Sequence, residues 1–150
     1  LDTAMNSFTP EYHRRLRPYI VKELPNQPIL SKLPQGQFGF IFCWNYLNYR
    51  GLESFKQYLK TAMSLLRPGG VFMFSYNNGE MVAGAGYAEN FFMTYIPKSL
   101  LIPLCESLGF EVISDQAREM AISWLEVRKP GQLKTIKAGQ TMGEINHYTL

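Results

Sequence analysis

At 150 residues, with 46% hydrophobic and 14% aromatic side chains, the chain is long enough for one ordinary domain with a real core. Lys and Arg total 15 against 12 Asp and Glu, a net charge of +3 with no run of like charges longer than three. That balance excludes neither a nucleic-acid partner nor its absence, but it does exclude the composition of a disordered polyelectrolyte. No apolar run approaches the roughly 20 residues of a membrane span, and no signal peptide is visible. The two cysteines, Cys43 and Cys105, make no disulfide framework. A reducing, cytoplasmic setting is therefore expected.

The chain opens with two expected helical pieces. Leu1 to Asn6 has the look of a helix end, and Thr9-Pro10-Glu11 is a helix start. Thr9 is the cap, Pro10 takes the first helical position and Glu11 faces the positive helix end. This helix ends before Pro18. Tyr19-Ile20-Val21-Lys22 reads as a short strand, followed by a loop punctuated by Pro25, Pro28, Pro34 and Gly36.

The most informative stretch runs from Phe38 to Asn78. A strand is expected over Phe38-Gly39-Phe40-Ile41-Phe42-Cys43, and a polar, aromatic loop follows it. Leu52, Phe55, Leu59, Ala62, Met63 and Leu66 then recur at helical spacing, with Lys56, Gln57 and Lys60 on the other side. Arg67-Pro68-Gly69-Gly70 reads as the turn that stops the helix, and Val71 to Tyr76 as a second strand. Strand, helix and parallel strand make a crossover unit, which places ligands at the carboxyl ends of its strands. Those ends carry Trp44-Asn45-Tyr46 and Tyr76-Asn77-Asn78.

From Asn77 to Tyr95 the glycines and aromatics suggest a long loop or lid with at most one short helix. A helix is expected over Lys98 to Leu108, with Pro103 awkward in its early turns. Phe110 to Ser114 and Ile122 to Arg128 read as two strands paired as a hairpin. Pro130 to Leu150 has weak periodicity and reads as a tail. The fold class expected is α/β: a three-layer Rossmann-like sheet with an antiparallel edge pair on its C-terminal side. The domain spans residues 1–128, and a tail or linker covers 129–150.

This order resembles the second half of a class I S-adenosylmethionine-dependent methyltransferase. Leu65-Leu66-Arg67-Pro68-Gly69-Gly70-Val71 is similar to the turn before that family's fifth strand, and Phe38 to Phe42 to its fourth strand. Leu108-Gly109-Phe110-Glu111-Val112 resembles its late helix-to-strand junction, and Leu1-Asp2-Thr3-Ala4-Met5 the helix after its second strand. The family's glycine-rich cofactor loop and the acid ending its second strand would lie before Leu1, and the sequence contains no Gly-x-Gly-x-x-Gly. Gly39 stands where the family usually has Asp. The sheet is thus expected to lack its first strands. The upstream part of the same protein, or a partner chain, would complete it.

The resemblance implies S-adenosylmethionine as cofactor and a small-molecule or protein group as methyl acceptor. Cys43, Trp44 and Asn45 would meet the cofactor, and Glu23 would meet its adenine amine. Asn48, Tyr49, Tyr76 and Asn77 would line the acceptor side. Each has a plainer reading: Trp44, Tyr46 and Tyr49 as core aromatics, the asparagines as turn residues, Glu23 as a solvated loop side chain. No catalytic acid or base is assigned, because methyl transfer needs alignment and water exclusion more than proton transfer. Cys43 follows Phe42 rather than Pro and reads as a strand-end residue, not a nucleophile. His13, Arg14, Arg15 and Arg17 form the only basic cluster. No aromatic stacking platform supports them, so no nucleic-acid partner is expected. The cysteine and histidine spacing makes no metal site. The rival class is a non-catalytic methyltransferase-like module packed into a larger assembly, such as a viral particle. A nucleotide-binding α/β domain of another kind is the third reading, against which the lack of a phosphate loop counts.

Overall fold

The computed structural model describes residues 7–13, 15, 18–19, 33–116 and 122–132. The chain divides into two compact units, Leu1–Ser31 and Lys32–Leu150. In the first, α1 (Pro10–His13) is a single turn beginning where Thr9-Pro10-Glu11 signals a start. The His13 ring lies 3.0 Å from the Phe8 carbonyl through Nε2. Leu1–Asn6, Ile20–Lys22 of the expected early strand, and the tail from residue 133 lie outside the described residues.

The second unit is a sheet of five strands with helices. β1 (Phe38–Cys43) is followed by a 3-10 turn (Leu47–Tyr49), α2 (Leu52–Leu65) and β2 (Leu66–Asn78). Then come α3 (Val82–Phe91), β3 (Tyr95–Ile96), α4 (Lys98–Ser107), β4 (Glu111–Gln116) and β5 (Ile122–Arg128). The strand order is β1-β2-β5-β4, with β3 also pairing β2. β1 and β3 run parallel to β2, β5 runs antiparallel to it, and β4 pairs antiparallel with β5. The α/β sheet with an antiparallel edge is thus the one the sequence order implies. β5 already occupies one side of Asn77 through Ile122, so β3 lies on the β1 side. There it continues the line of β1 past the carboxyl end of that strand.

Three elements differ from the sequence expectation. The Arg67–Gly70 turn is the irregular start of β2 rather than a loop, because Leu66 already pairs with Phe38. The register then slips, so that Phe40 pairs with Val71, and Gly69 absorbs the extra residues at φ 74°. Gly69 donates its N–H to the Lys129 carbonyl, and Gly70 accepts from the Lys129 N–H, so this backbone is tied to the end of β5. Second, α3 is a ten-residue helix where glycines suggested mostly loop. Third, the two-residue β3 has too short an alternation to be seen in sequence. Pro103 sits inside α4, which continues through it.

The core lies on one face of the sheet. Along β2, Phe72, Phe74 and Tyr76 point to this face, joined by Leu125 and Val127 of β5 and by Ile41 of β1. α2 covers it with Phe55, Leu59 and Ala62, and α4 with Leu101 and Cys105. Phe55 meets Phe74 edge to face with centroids 5.4 Å apart. Burial pushes the Cys105 thiol up to about 12. The opposite face carries Phe40 and Phe42 of β1, Val71 and Met73 of β2, and Trp124 of β5, extended by Trp44 just past β1. Phe40, Phe42 and Trp44 are each more than half exposed.

A bulge in β4 sets the last polar tie of the core. Val112 pairs with Val127 and Asp115 with Leu125, three residues against two. The extra residue turns Asp115 toward the helical face. There its Oδ1 accepts the Tyr76 hydroxyl proton at 3.1 Å and its Oδ2 meets Lys98 Nζ at 2.5 Å. Burial, then the adjacent Asp115 charge and hydrogen bond, raise Tyr76 above its ordinary value of 10.0.

Phe74 is fully buried and touches two other rings. Phe74→Ala is expected to cost about 3–5 kcal/mol, read by urea unfolding of the purified chain. The raised tyrosine and thiol carry a second expectation. An acidic group held protonated by the fold makes the unfolded state the better proton donor, so stability falls as pH rises above its unfolded value. The melting temperature should therefore hold up to about pH 9 and fall above it, first through Cys105 and then through Tyr76. Tyr76→Phe should flatten the fall above pH 10, at a cost of about 1–3 kcal/mol at neutral pH for the bond to Asp115. A melting profile equally steep in Tyr76→Phe would contradict this assignment.

Candidate functional site

The carboxyl ends of β1 and β2 come together as the crossover topology requires. β1 ends at Cys43, and the chain turns sharply at Asn45, whose φ of 48° is in the left-handed region that asparagine tolerates. The Asn45 N–H donates to Ser75 Oγ at 2.7 Å. The Ser75 hydroxyl in turn donates to Asn48 Oδ1 at 3.0 Å. Ser75 thus fixes both ends of the loop that follows β1. The Asn48 carbonyl accepts the Thr94 N–H at 2.7 Å and so also holds the chain entering β3.

A second clamp holds the outer side of this loop. The Tyr46 and Tyr58 hydroxyls are 2.8 Å apart, and Arg50 Nη2 donates to Tyr46 at 2.6 Å while lying over its ring. The loop aromatics therefore divide. Tyr46 packs against the core, whereas Trp44 and Tyr49 are about half exposed. Trp44 stacks on Trp124, with centroids 4.6 Å apart and planes 13° apart.

At the end of β2, Asn77 donates from Nδ2 to the Gly84 carbonyl at 3.0 Å, anchoring α3. Asn78 Oδ1 accepts the N–H groups of Glu80 and Lys98. The Glu80 carboxylate accepts the Ser99 N–H at 2.9 Å. Glu80 and Asn78 together cap the amino end of α4, where negative charge is favoured. Hydrogen bonds from Ser99 lower the Glu80 carboxyl below its usual value, with the Lys98 charge adding to the effect. Gly84 is obligatory here: a side chain at this position would strike the Asn78 carbonyl.

The residues singled out in the sequence therefore fall into three groups. Cys43, Trp44, Asn45, Asn48 and Asn77 all lie at the joined carboxyl ends of β1 and β2, with Tyr49 on the 3-10 turn beside them. Tyr76 lies on the helical face, its hydroxyl committed to Asp115. Glu23 lies outside the described residues. Burial raises the Cys43 thiol, the opposite of what an activated nucleophile needs. Ser75, Asn78 and Thr94 are additional members of the polar network. Ser75 is readable only after the register is known, because the strand pattern alone leaves it as one more core position. Among the described residues no group of three or more His, Cys, Asp and Glu side chains could hold a metal ion. Among them, too, no helix is long and apolar enough to cross a membrane.

No family model matches the sequence, and no curated protein matches it. The fold, by contrast, has clear relatives among solved structures. A Thermotoga maritima S-adenosylmethionine-dependent methyltransferase, described as a possible histamine N-methyltransferase, aligns with a TM-score of 0.53 and 18% identity. A Methanosarcina mazei S-adenosylmethionine-dependent methyltransferase gives 0.55 and 13%. A putative methyltransferase from Haloferax volcanii, in complex with the Trm112 activator, gives 0.55 and 14%. These alignments cover 71%, 69% and 72% of this chain but 59%, 64% and 58% of the others, so the chain spans about three-fifths of the length of the structures it matches. At these identities the likeness is one of fold: an α/β sheet matching part of the Rossmann-like architecture of S-adenosylmethionine-dependent methyltransferases.

Proposed function

We propose that this chain is the carboxyl-side portion of an S-adenosylmethionine-dependent methyltransferase domain, acting on a small-molecule or protein acceptor. The observation that carries the reading is the joined end of β1 and β2. An exposed Trp44 and a sharp Asn45 turn stand there beside a network of neutral polar side chains, on a sheet ordered like part of the methyltransferase fold. A site of this kind suits methyl transfer, which asks for alignment and exclusion of water rather than an acid or base.

The cofactor, when bound, supplies an already activated methyl group. Cys43, Trp44 and Asn45 would meet its methionine end, with Glu23 as the proposed contact to the adenine amine. The half-exposed Trp44 ring, braced by Trp124, fits contact with a cationic sulfonium group, which an aromatic face attracts. Asn48, Tyr49 and Asn77 border the acceptor side. The Tyr76 hydroxyl, held by Asp115, would support that side from beneath the strand.

A specific observation also favours the interaction reading. Phe40, Phe42 and Trp44 leave one face of the sheet open, and a sheet with parallel strands is normally covered on both faces. Completion by further parts of the same protein, or by a partner chain, belongs to the proposal on either reading. Under the second, the chain is a non-catalytic module whose open face binds into a larger assembly.

Calorimetric titration with S-adenosylhomocysteine separates the two. It is run on this chain alone and on a chain carrying any native residues that precede Leu1. Micromolar binding by the longer protein alone is expected, with Trp44→Ala weakening it about tenfold. Binding by neither would remove the cofactor reading and leave the assembly module.

A further inference from the structure

At the carboxyl ends of β1 and β2, two carboxamides are buried with part of their hydrogen-bonding capacity unused. Asn48 and Asn77 are each 1% exposed. The Asn48 Nδ2 donor and the Asn77 Oδ1 acceptor have no partner among the described residues. Asn77 cannot turn over without loss, because its Nδ2 is the donor to the Gly84 carbonyl, while Asn48 Oδ1 is the acceptor for Ser75 Oγ–H. A buried polar group left unmatched is costly, so such groups usually have a partner in some state of the protein. Here one donor and one acceptor wait at the same sheet end.

The cover over them is slight. Gly84 is the only buried residue of α3. Val82 is 94% exposed and Phe92, just past the helix, 89%. The attachment rests on the Asn77–Gly84 bond and on the close approach of Gly84 to the Asn78 carbonyl. The segment begins just after Glu80, which is held to Ser99, and ends at Phe92, whose φ of 55° lies in the left-handed region. A helix with a single buried residue fits the description of a low-stability unit that opens on its own.

We propose that α3 is a lid over an acceptor subsite in which Asn48 and Asn77 grip a neutral secondary amide. Its C=O accepts from Asn48 Nδ2, and its N–H donates to Asn77 Oδ1. This rests on the reading of the β1–β2 end as the acceptor side. Asn48 is fixed through Ser75, and Ser75 and Asn77 are two residues apart on one face of β2, about 7 Å along the strand. A trans secondary amide presents its C=O and N–H in opposite directions and so suits two grips set apart in this way. The groups bonded to the two asparagines are a serine hydroxyl and backbone amides, with no charge among them. A neutral amide fits this pair, because it both accepts and donates and brings no charge into the buried site.

The test is NMR titration of the full chain with N-methylbenzamide, with N,N-dimethylbenzamide and benzoate as controls. N-methylbenzamide is expected to shift the side-chain amide signals of Asn48 and Asn77 and to bind at least fivefold more tightly than either control. Asn77→Leu should erase that preference for the N–H form. Gly84→Ala, which forces α3 off Asn78, should tighten N-methylbenzamide at least threefold, because less is spent on opening. Hydrogen exchange of the α3 amides in the unmodified chain gives a second view, with α3 expected to exchange far faster than β2. Equal binding of the three probes, shifts confined to other residues, or α3 protected as well as β2 would overturn the proposal. Shifts at both asparagines, with no S-adenosylhomocysteine binding even by the chain that carries the native residues preceding Leu1, would leave the subsite standing and remove the methyl-transfer reading.

Discussion

Everything in the larger unit hangs on β2 being paired on both sides. β1 and then β3 flank it on one edge, while β5 runs along the other from Val71 to Asn77. A strand in that position has its backbone groups satisfied by neighbours, so its side chains alone decide what each face does. One set of alternate positions, Phe72, Phe74 and Tyr76, becomes core. The other set, Val71, Met73, Ser75 and Asn77, supplies first the open apolar face and then, at the carboxyl end, the polar network. The change from Met73 to Ser75 along that face marks the boundary between packing and site.

The β4 bulge extends the same logic. Regular alternation would leave Val112 and Asp115 on opposite faces. The extra residue puts both on the helical side, where Asp115 joins Tyr76 of β2 and Lys98 of α4. The tie fixes the first turn of α4 against the sheet. Asn78 and Glu80 hold the same helix end from the other direction. The end of β2 is therefore anchored to α4 by Tyr76, Asp115, Lys98, Asn78 and Glu80, while α3, inserted between them in sequence, has Gly84 as its one buried residue. Rigidity in the flanks and looseness in the insert follow from the same few residues.

Much of this was legible in the sequence because it depended on local signals. The six-residue apolar run of β1, the helical spacing of α2 and the hairpin strands around residue 115 all carry their own periodicity, and the strand bounds Phe38–Cys43 and Ile122–Arg128 agree with the run lengths. What was not legible depended on contacts distant in the chain. Pro68-Gly69-Gly70 has the chemistry of a turn, and only the bonds to Lys129 make it part of a strand. The glycines of α3 read as loop because the reason for Gly84, an approach to Asn78 too close for any side chain, exists only once α3 is docked. Ser75 was missed for a similar reason: its partners, Asn45 and Asn48, are reached across the sheet. The parity of β2, not legible in sequence, sets the Tyr76 ring on the helical face, with its hydroxyl on Asp115.

The open face of the sheet bears on what kind of partner could cover it. Phe40, Phe42, Trp124 and Trp44 form one chain of stacked rings, with interplanar angles of 26°, 23° and 13°. Side chains on a strand stand roughly perpendicular to the sheet, so rings stacked on one another across it turn their edges outward, not their faces. The interior of this ladder therefore offers no free ring face. Whatever covers such a ridge meets apolar edges, and burying them favours apolar groups there. The exception is the end of the ladder at Trp44, where one ring has its inner face on Trp124 and its outer side at the polar turn. There a single aromatic ring ends the stacked ladder on one side and borders the polar turn on the other. The apolar face and the polar turn thus meet at one residue, so a shift of the Trp44 ring is felt on both.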